Sequence, residues 1–260
     1  MKRPEMTETR IYVLGNEKGG TGKSTVAFNL VVGLLRAGKS VGCIDLDPRQ
    51  ATLSRQVENR RAYAERTGTA LPLPEVETAD GPEALDGALE ALAARHDAVV
   101  VDTPGRPDPA AQRAHAHADV LITPLNDSHV DLDLIGRLDP GARSSARPGV
   151  YAELVWKQRM VRAGAGRKAL DWIVMLNRVR QVDSHNTREV RGLLQDLARR
   201  FAFDIAPGFG ERTIFREMFP DGLGLMDLRQ PGIERALSMS HVAGRNEVRR
   251  LLDMLGVPPI

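Results

Sequence analysis

The feature that most constrains the fold of this 260-residue chain is the glycine-rich segment at residues 15–25, GNEKGGTGKST. An apolar, β-branched run precedes it, and a segment with helical periodicity follows it. A loop of the form GxxxxGK(S/T) between a strand and a helix cradles phosphates with its backbone N–H groups and the helix dipole. Gly22, Lys23 and Ser24 fit this pattern, but Glu17 replaces its first glycine and Lys18 is an additional lysine. The segment therefore predicts a phosphate site of unusual form.

Strand-like and helix-like segments alternate through most of the chain. The apolar runs lie at residues 11–14, 41–46, 98–101, 120–122 and 172–176, and the helical segments include 24–36, 82–95 and 184–201. This order predicts an α/β fold, a doubly wound and mostly parallel sheet with helices on both faces. Residues 59–80 and 138–168 interrupt the alternation and are interpreted as insertions. Because apolar patterning resumes after each, residues 1–260 are predicted to form a single domain, with residues 1–9 as a flexible tail.

Composition narrows the cellular setting. The single cysteine, Cys43, excludes an intramolecular disulfide and favours a reducing, cytoplasmic compartment. No apolar run approaches the ~20 residues of a membrane-spanning helix. A formal net charge of +2 does not by itself demand a nucleic-acid partner, although it can conceal a local basic face.

Several motifs resemble those of the ParA/MinD family of ATPases. KGGTGKST at residues 18–25 resembles the family's deviant Walker A loop, IDLDP at 44–48 its second motif, and VVVDTPG at 99–105 its Walker B strand and switch. Three longer segments resemble the MipZ branch of division-site positioning ATPases: TPLNDSHVDLD at 123–133, LDWIVMLNR at 170–178 and REMFPDGLGLMDL at 216–228. The resemblance covers most of the chain and implies the P-loop NTPase fold.

The phosphate loop and the resemblance together suggest roles for individual residues. Lys23 is predicted to bridge the β- and γ-phosphates of ATP, and Ser24 to hold Mg²⁺ through its hydroxyl. Asp102 ends an apolar strand where a Walker B carboxylate can hold the metal. The resemblance assigns Asp47 to the attacking water and Asp45 to support of the loop and metal. The other predicted nucleotide contacts are Gly19, Gly20, Thr21, Gly22, Thr25 and, at the adenine, Asn177.

Lys18 is predicted to act in trans. Lys23 already serves the chain's own nucleotide, so Lys18 is available to reach the phosphates of a second protomer facing it across the two nucleotides. Such a contact resembles an arginine finger. The family resemblance supports this geometry and implies an ATP-dependent homodimer with slow, dimerisation-coupled hydrolysis.

The helical segment at residues 184–201 carries a candidate DNA-binding face. Val190, Leu194, Leu197 and Phe201 form its apolar stripe, and Glu189 and Asp196 are expected on a different flank from the arginines. A basic face of this kind can bind phosphates nonspecifically, or it can be an ordinary solvated surface. The resemblance to MipZ favours nonspecific binding of double-stranded DNA. The arginines of this face are Arg188, Arg191 and Arg199.

The MipZ resemblance further implies ParB as a partner, inhibition of FtsZ polymerisation, and a nucleoid-associated location near ParB at the cell poles. Alternative functions are a ParA-type chromosome or plasmid partition ATPase, a MinD-like membrane-switched ATPase, and a metabolic P-loop enzyme. Residues 246–260 mix acidic with basic side chains and end near a proline stop. This pattern favours a docking helix over a basic amphipathic membrane helix.

Overall fold

A computed structural model describes residues 8–139, 142–179, 185–233 and 237–260. Of the expected tail at residues 1–9, all but positions 8 and 9 lies outside the described residues. The strands are β1 (Arg10–Leu14), β2 (Val41–Asp45), β3 (Glu75–Thr78), β4 (Ala98–Asp102), β5 (Val120–Asn126), β6 (Gly136–Asp139), β7 (Ala142–Pro148), β8 (Asp171–Asn177) and β9 (Asp204–Ala206). The helices are α1 (Lys23–Arg36), α2 (Thr52–Thr67), α3 (Pro82–Ala93), α4 (Pro109–His117), α5 (His129–Leu132), α6 (Val150–Gly164), α7 (His185–Phe201), α8 (Ile214–Glu217) and α9 (Met239–Met254).

Within these residues, seven strands form one sheet in the order β3-β2-β4-β1-β5-β8-β9, and neighbouring strands are parallel. Strands β2 and β4 are buried at every position, as expected of a parallel sheet covered on both faces. One apolar core joins the sheet to α1 and α9, and a second joins its other face to α3, α4, α6 and α7. The predicted doubly wound α/β fold is therefore confirmed.

The interpretation of residues 59–80 as an insertion is wrong. This segment contains the second half of α2 and the edge strand β3, which pairs with β2. The helix has few apolar residues because part of its buried side is polar. Arg60 is fully buried and forms a bidentate ion pair with Asp227, in which Nη1 lies 2.6 Å from Oδ2 and Nη2 lies 3.0 Å from Oδ1. Asp227 also binds Arg36 of α1, so this buried carboxylate fixes α2 relative to α1.

Residues 138–168 are only partly an insertion. The antiparallel hairpin β6–β7 stands outside the central sheet, but α6 lies in the crossover between the parallel strands β5 and β8. Tyr151, Ala152 and Val155 of α6 are buried in the second core.

The C-terminal helix α9 packs its apolar side onto α1. Val248, Leu251 and Leu252 are buried, and the Leu252 side chain fills the space beside Gly33, where an added Cβ would lie 2.6 Å from it. This agrees with the interpretation of residues 246–260 as a docking segment. Among the described helices, none has the length and apolar character needed to cross a membrane.

Candidate nucleotide-binding site

A cleft of about 380 Å³ opens at the carboxyl ends of the central strands, the usual position for a ligand in a doubly wound sheet. The loops that follow β1, β2, β4 and β8 all contribute to it. Its lining residues are Gly19, Gly20, Gly22, Lys23, Ser24, Thr25, Asp45, Asp47, Gln50, Thr52, Asp102, Thr103, Gly105, Arg106 and Arg178. The structure thus brings together the three separate motifs found in the sequence.

The phosphate loop depends on glycine for its shape. Gly20 and Gly22 have φ values of 77° and 89°, in the left-handed region that other residues rarely adopt. Gly22 also precedes α1, and no side chain caps the helix. A Cβ at Gly22 would lie 2.1 Å from Nδ2 of Asn177. The first residues of α1, Lys23, Ser24 and Thr25, line the cleft, and the uncapped N–H groups of such a helix start are donors available to an anion.

Two buried asparagines fix this loop. The Asn16 amide donates to the Pro124 carbonyl of β5 at 2.8 Å and accepts the Lys18 backbone N–H at 2.9 Å. Asn177, at the end of β8, donates to the Thr21 carbonyl at 2.7 Å. The tethering role of Asn16 was not found from the sequence, where only its position just after a strand hinted at it. The adenine contact expected of Asn177 stays a prediction, since its amide nitrogen is bound to the loop.

Lys23 lies inside the loop and points along it. It is 6% exposed, and its ammonium group donates to the Lys18 carbonyl at 3.1 Å. Burial lowers the pKa of Lys23, while the nearby carboxylates of Asp102 and Asp47 act in the opposite direction. A phosphate entering the cleft would give this partly desolvated cation a stronger partner than a carbonyl.

Asp102 and Ser24 form the part of the site that fits a metal ion. Burial raises the pKa of Asp102 to about 7, a hydrogen bond from Ser24 opposes the rise, and Asp45 adds to it. One Asp102 oxygen, Oδ1, is buried without a hydrogen-bond partner. Magnesium commonly uses one or two carboxylates together with phosphates and water. Among the described residues there is no cluster of three or more His, Cys, Asp or Glu side chains arranged for a metal.

Asp45 and Asp47 occupy different environments. Asp45 is 1% exposed; one oxygen accepts the Asp47 backbone N–H at 3.0 Å, and the other accepts the backbone N–H and hydroxyl of Ser54. These bonds hold the loop that follows β2, and the support of the phosphate loop and metal expected of Asp45 stays a prediction. Asp47 also lines the cleft, and its side chain is 14% exposed.

Arg106 is a cleft residue that sequence reasoning missed. Its Nη1 lies 3.5 Å from Oδ2 of Asp47. Arg106 directly follows the TPG turn, which comes after the Walker B strand. This position was the sequence signal that could have indicated a residue of the cleft. The cleft thus holds a second basic group close to the carboxylate predicted to orient water.

Lys18 is directed away from its own phosphate loop. Its ammonium group forms an ion pair with Asp131 of α5, and the two side chains are 39% and 1% exposed. The buried Asp131 carboxylate also accepts hydrogen bonds from the Asn126 backbone N–H at 2.8 Å and the Ser128 hydroxyl at 3.0 Å. No local sequence pattern indicates this pairing, which joins residues 113 positions apart.

The helix α7 presents the predicted amphipathic arrangement with one correction. Val190, Leu194 and Leu197 are buried, and the arginines Arg188, Arg191 and Arg199 are exposed. The expectation that Asp196 lies on a different flank from the arginines is wrong for Arg199. The two form an i,i+3 ion pair on the helix surface. The basic face is therefore partly neutralised at its C-terminal end.

Comparisons with known proteins agree with this geometry. Residues 10–259 match the family model described as ATPase MipZ. The chromosome-partitioning ATPase Soj of Thermus thermophilus is 32% identical over an alignment of 152 residues, with 50% of this chain and 60% of Soj covered, so the chain spans less than two thirds of that relative.

Two solved structures show the same fold. An ATP complex of a Cyanothece McdA variant has a TM-score of 0.63 at 15% identity, with 98% of this chain and 99% of McdA covered. The septum site-determining protein MinD of Pyrococcus horikoshii, complexed with Mg-ADP, has a TM-score of 0.58 at 20% identity, with 96% and 98% covered. Taken with the match over nearly the whole length, these findings establish that the chain belongs to the MipZ family of ATPases, within the ParA/MinD group.

Proposed function

We propose that this protein is a dimerising switch ATPase that converts ATP and water to ADP and phosphate and positions the bacterial division site. The observation that carries the proposal is the pair of lysines at the phosphate loop. Lys23 lies buried within the loop, whereas Lys18 leaves the same loop toward the outside of its own cleft. One cation serves the resident nucleotide, and the other is available to a second protomer.

Hydrolysis in this cleft would rely on positioning and charge neutralisation. The N–H groups at the start of α1 and the Lys23 ammonium group hold the β- and γ-phosphates. Ser24 and Asp102 would hold Mg²⁺, which supplies further neutralisation of phosphate charge. Asp47 orients the attacking water at the open side of the γ-phosphate, and Asp45 keeps the Asp47 backbone in place. No covalent nucleophile is required.

Dimerisation follows from the alternative partners of Lys18. In the single chain its ammonium group is paired with Asp131. The γ-phosphate of ATP in a facing protomer offers a more highly charged partner, whereas ADP does not. The dimer therefore forms with ATP and dissociates after hydrolysis, so that dimerisation reports the state of the nucleotide.

The partners of the dimer follow from the family. The exposed arginines Arg188, Arg191 and Arg199 support binding of double-stranded DNA without sequence preference. ParB would recruit the protein locally, near the cell poles, and the ATP dimer would inhibit FtsZ polymerisation. A ParA-type partition ATPase is the second candidate function, favoured by the 32% identity to Soj. It shares the ATP switch but does not act on FtsZ.

Sedimentation with ATP, with ADP, and with ATP plus FtsZ tests the proposal. The wild-type protein should be dimeric with ATP and monomeric with ADP, and it should reduce the amount of sedimenting FtsZ polymer. Normal FtsZ polymerisation beside an ATP-dependent dimer would favour the partition function. An oligomeric state that does not depend on the nucleotide would contradict both functions.

The variant Lys18→Ala tests the trans contact directly. It should bind ATP yet remain monomeric, with hydrolysis reduced by about 10³- to 10⁵-fold, the range for fingers supplied in trans. Lys39→Ala removes an exposed lysine outside the cleft and is the matched control. A Lys18→Ala protein that dimerises and hydrolyses ATP like the wild type would exclude the trans lysine.

A further inference from the structure

Arg106 stands on a turn that is rigidly connected to the phosphate loop. The Thr103 hydroxyl donates to the Leu14 carbonyl of β1 at 2.7 Å. Gly105 packs directly on the loop, where an added Cβ would lie 2.5 Å from the Cα of Gly19. Two residues after Arg106, the Asp108 side chain caps α4 by accepting two backbone N–H bonds. The backbone on both sides of Arg106 is therefore fixed, and its side chain lines the cleft.

The present partner of Arg106 can be exchanged. Nη1 lies 3.5 Å from Oδ2 of Asp47, and the Arg106 and Asp47 side chains are 48% and 14% exposed. A half-exposed ion pair at this distance contributes little to stability. A phosphate is a stronger partner, because the planar guanidinium group can donate two parallel hydrogen bonds to it.

Of the described residues, the other two basic side chains that line the cleft, Lys23 and Arg178, lie at positions different from that of Arg106. Lys23 is held inside the loop, and Arg178 follows Asn177, whose amide binds the Thr21 carbonyl. Among the cations that line the described cleft, Arg106 is the one in contact with Asp47. Its guanidinium group is consequently on the side where water must attack the terminal phosphate.

We propose that Arg106 is a further catalytic residue, which leaves Asp47 and binds the γ-phosphate of ATP within its own protomer. The proposal rests on the ATPase function proposed above. Binding of Arg106 to the γ-phosphate frees the Asp47 carboxylate to orient water. The water oxygen then bonds to the γ-phosphorus while the bond to the bridging oxygen breaks, and ADP retains the electron pair. One water proton passes through Asp47 to an oxygen of the released phosphate.

Nucleotide affinity in a monomeric background tests the contact without relying on turnover. In Lys18→Ala protein, Arg106→Ala should weaken ATP binding at least tenfold more than ADP binding, since ADP lacks the γ-phosphate. Arg106→Lys should restore part of the preference for ATP. Arg113→Ala removes an exposed arginine of α4 that pairs with Asp86 outside the cleft, and it should leave both affinities unchanged.

Hydrolysis by protein that retains Lys18 provides the second measurement. Arg106→Ala should lower kcat by roughly 100-fold, which is below the range for fingers supplied in trans because Lys18 remains. An unchanged ratio of ATP to ADP affinity would overturn the proposal. Faster hydrolysis would also overturn it, by showing that Arg106 restrains Asp47. If the wild-type protein hydrolyses no ATP, the proposed function fails, and the affinity ratio still decides the role of Arg106.

Discussion

The nucleotide cleft and the surface of α7 both carry charged residues, but the structure holds the two sets in different ways. In the cleft, Lys23, Asp45 and Asp102 are at most 6% exposed and belong to different elements that meet at one edge of the sheet. On α7, the arginines project from a single helix, and the Arg199 side chain is 77% exposed. Charges that several elements hold in fixed positions form a specific site, whereas charges on one exposed helix form only a basic surface.

Solvent explains why this difference matters. Water and salt screen a surface charge, so an exposed ion pair such as Arg199–Asp196 contributes about 0–1 kcal/mol. A charge removed from water interacts more strongly with its neighbours and is costly to leave without a partner. Substitutions in the cleft should therefore have much larger effects than substitutions on α7.

The largest effect is expected for Lys23→Ala, which removes the buried cation of the phosphate loop. Losing one partner of a desolvated charge pair costs about 2–5 kcal/mol, so ATP and ADP should each bind roughly 30-fold more weakly or worse. Calorimetric titration with each nucleotide measures the change. Lys157→Ala, at an exposed position of α6, is the control. If Lys23→Ala binds ATP and ADP as tightly as the wild type, the buried charges of the cleft contribute no more than the exposed charges of α7.

The ion pair between Lys18 and Asp131 is intermediate between these two regions, because one partner is buried and the other is partly exposed. Asp131→Asn keeps the shape of the side chain but removes its charge. We take the ion pair to stabilise the position of Lys18 in its own chain by about 1 kcal/mol. The dissociation constant of the ATP dimer should then fall roughly fivefold if one lysine is released on dimerisation and roughly thirtyfold if both are.

Sedimentation equilibrium at several protein concentrations measures this dissociation constant. Asp133→Asn removes a nearby carboxylate that pairs with Arg137 on the surface, and it should leave the constant unchanged. A weaker dimer in Asp131→Asn would show that Asp131 orients Lys18 for the partner instead of retaining it.

The same contrast explains what could be predicted from the sequence. Gly22, Lys23 and Ser24 were identified because a local strand–loop–helix pattern determines their geometry, and Asp102 because it ends a recognisable strand. The contacts of Asn16 and Asp131 join residues more than 100 positions apart, and no local pattern encodes them. These distant contacts nevertheless set the shape of the loop and the direction of Lys18.

Two errors have different physical causes, one distant and one local. The polar composition of α2 concealed a helix with one buried side, because Arg60 finds its carboxylate partner 167 residues away. The pairing of Arg199 with Asp196 is a local i,i+3 contact that helix geometry permits. It was missed because the two residues were assigned to separate flanks, although long side chains reach across such a boundary.

The smallest effects on binding are expected for substitutions on α7. Two alanine substitutions there compare an arginine without a carboxylate partner among the described residues with an arginine that has one. In the described part of the chain no carboxylate pairs with Arg191, whereas Arg199 is paired with Asp196. If α7 binds duplex DNA, Arg191→Ala should weaken binding to unrelated sequences equally and lower the slope of log affinity against log salt concentration by about 0.9, the value for one phosphate contact. Arg199→Ala should lower the slope by less, since its guanidinium group must first leave a carboxylate.

Binding to two duplexes of unrelated sequence, measured with ATP over a series of salt concentrations, compares the two variants. Arg95→Ala is the control, because Arg95 pairs with Glu75 of β3 at the edge of the sheet opposite β9. ATP affinity should be unchanged in all three proteins, since none of these arginines lines the described cleft. Equal slopes for all three variants and the wild type would show that the arginines of α7 are solvated surface. An equal decrease in slope for Arg199→Ala and Arg191→Ala would show that the DNA phosphate displaces Asp196 completely, so that an exposed ion pair on one helix gives no protection against a competing anion.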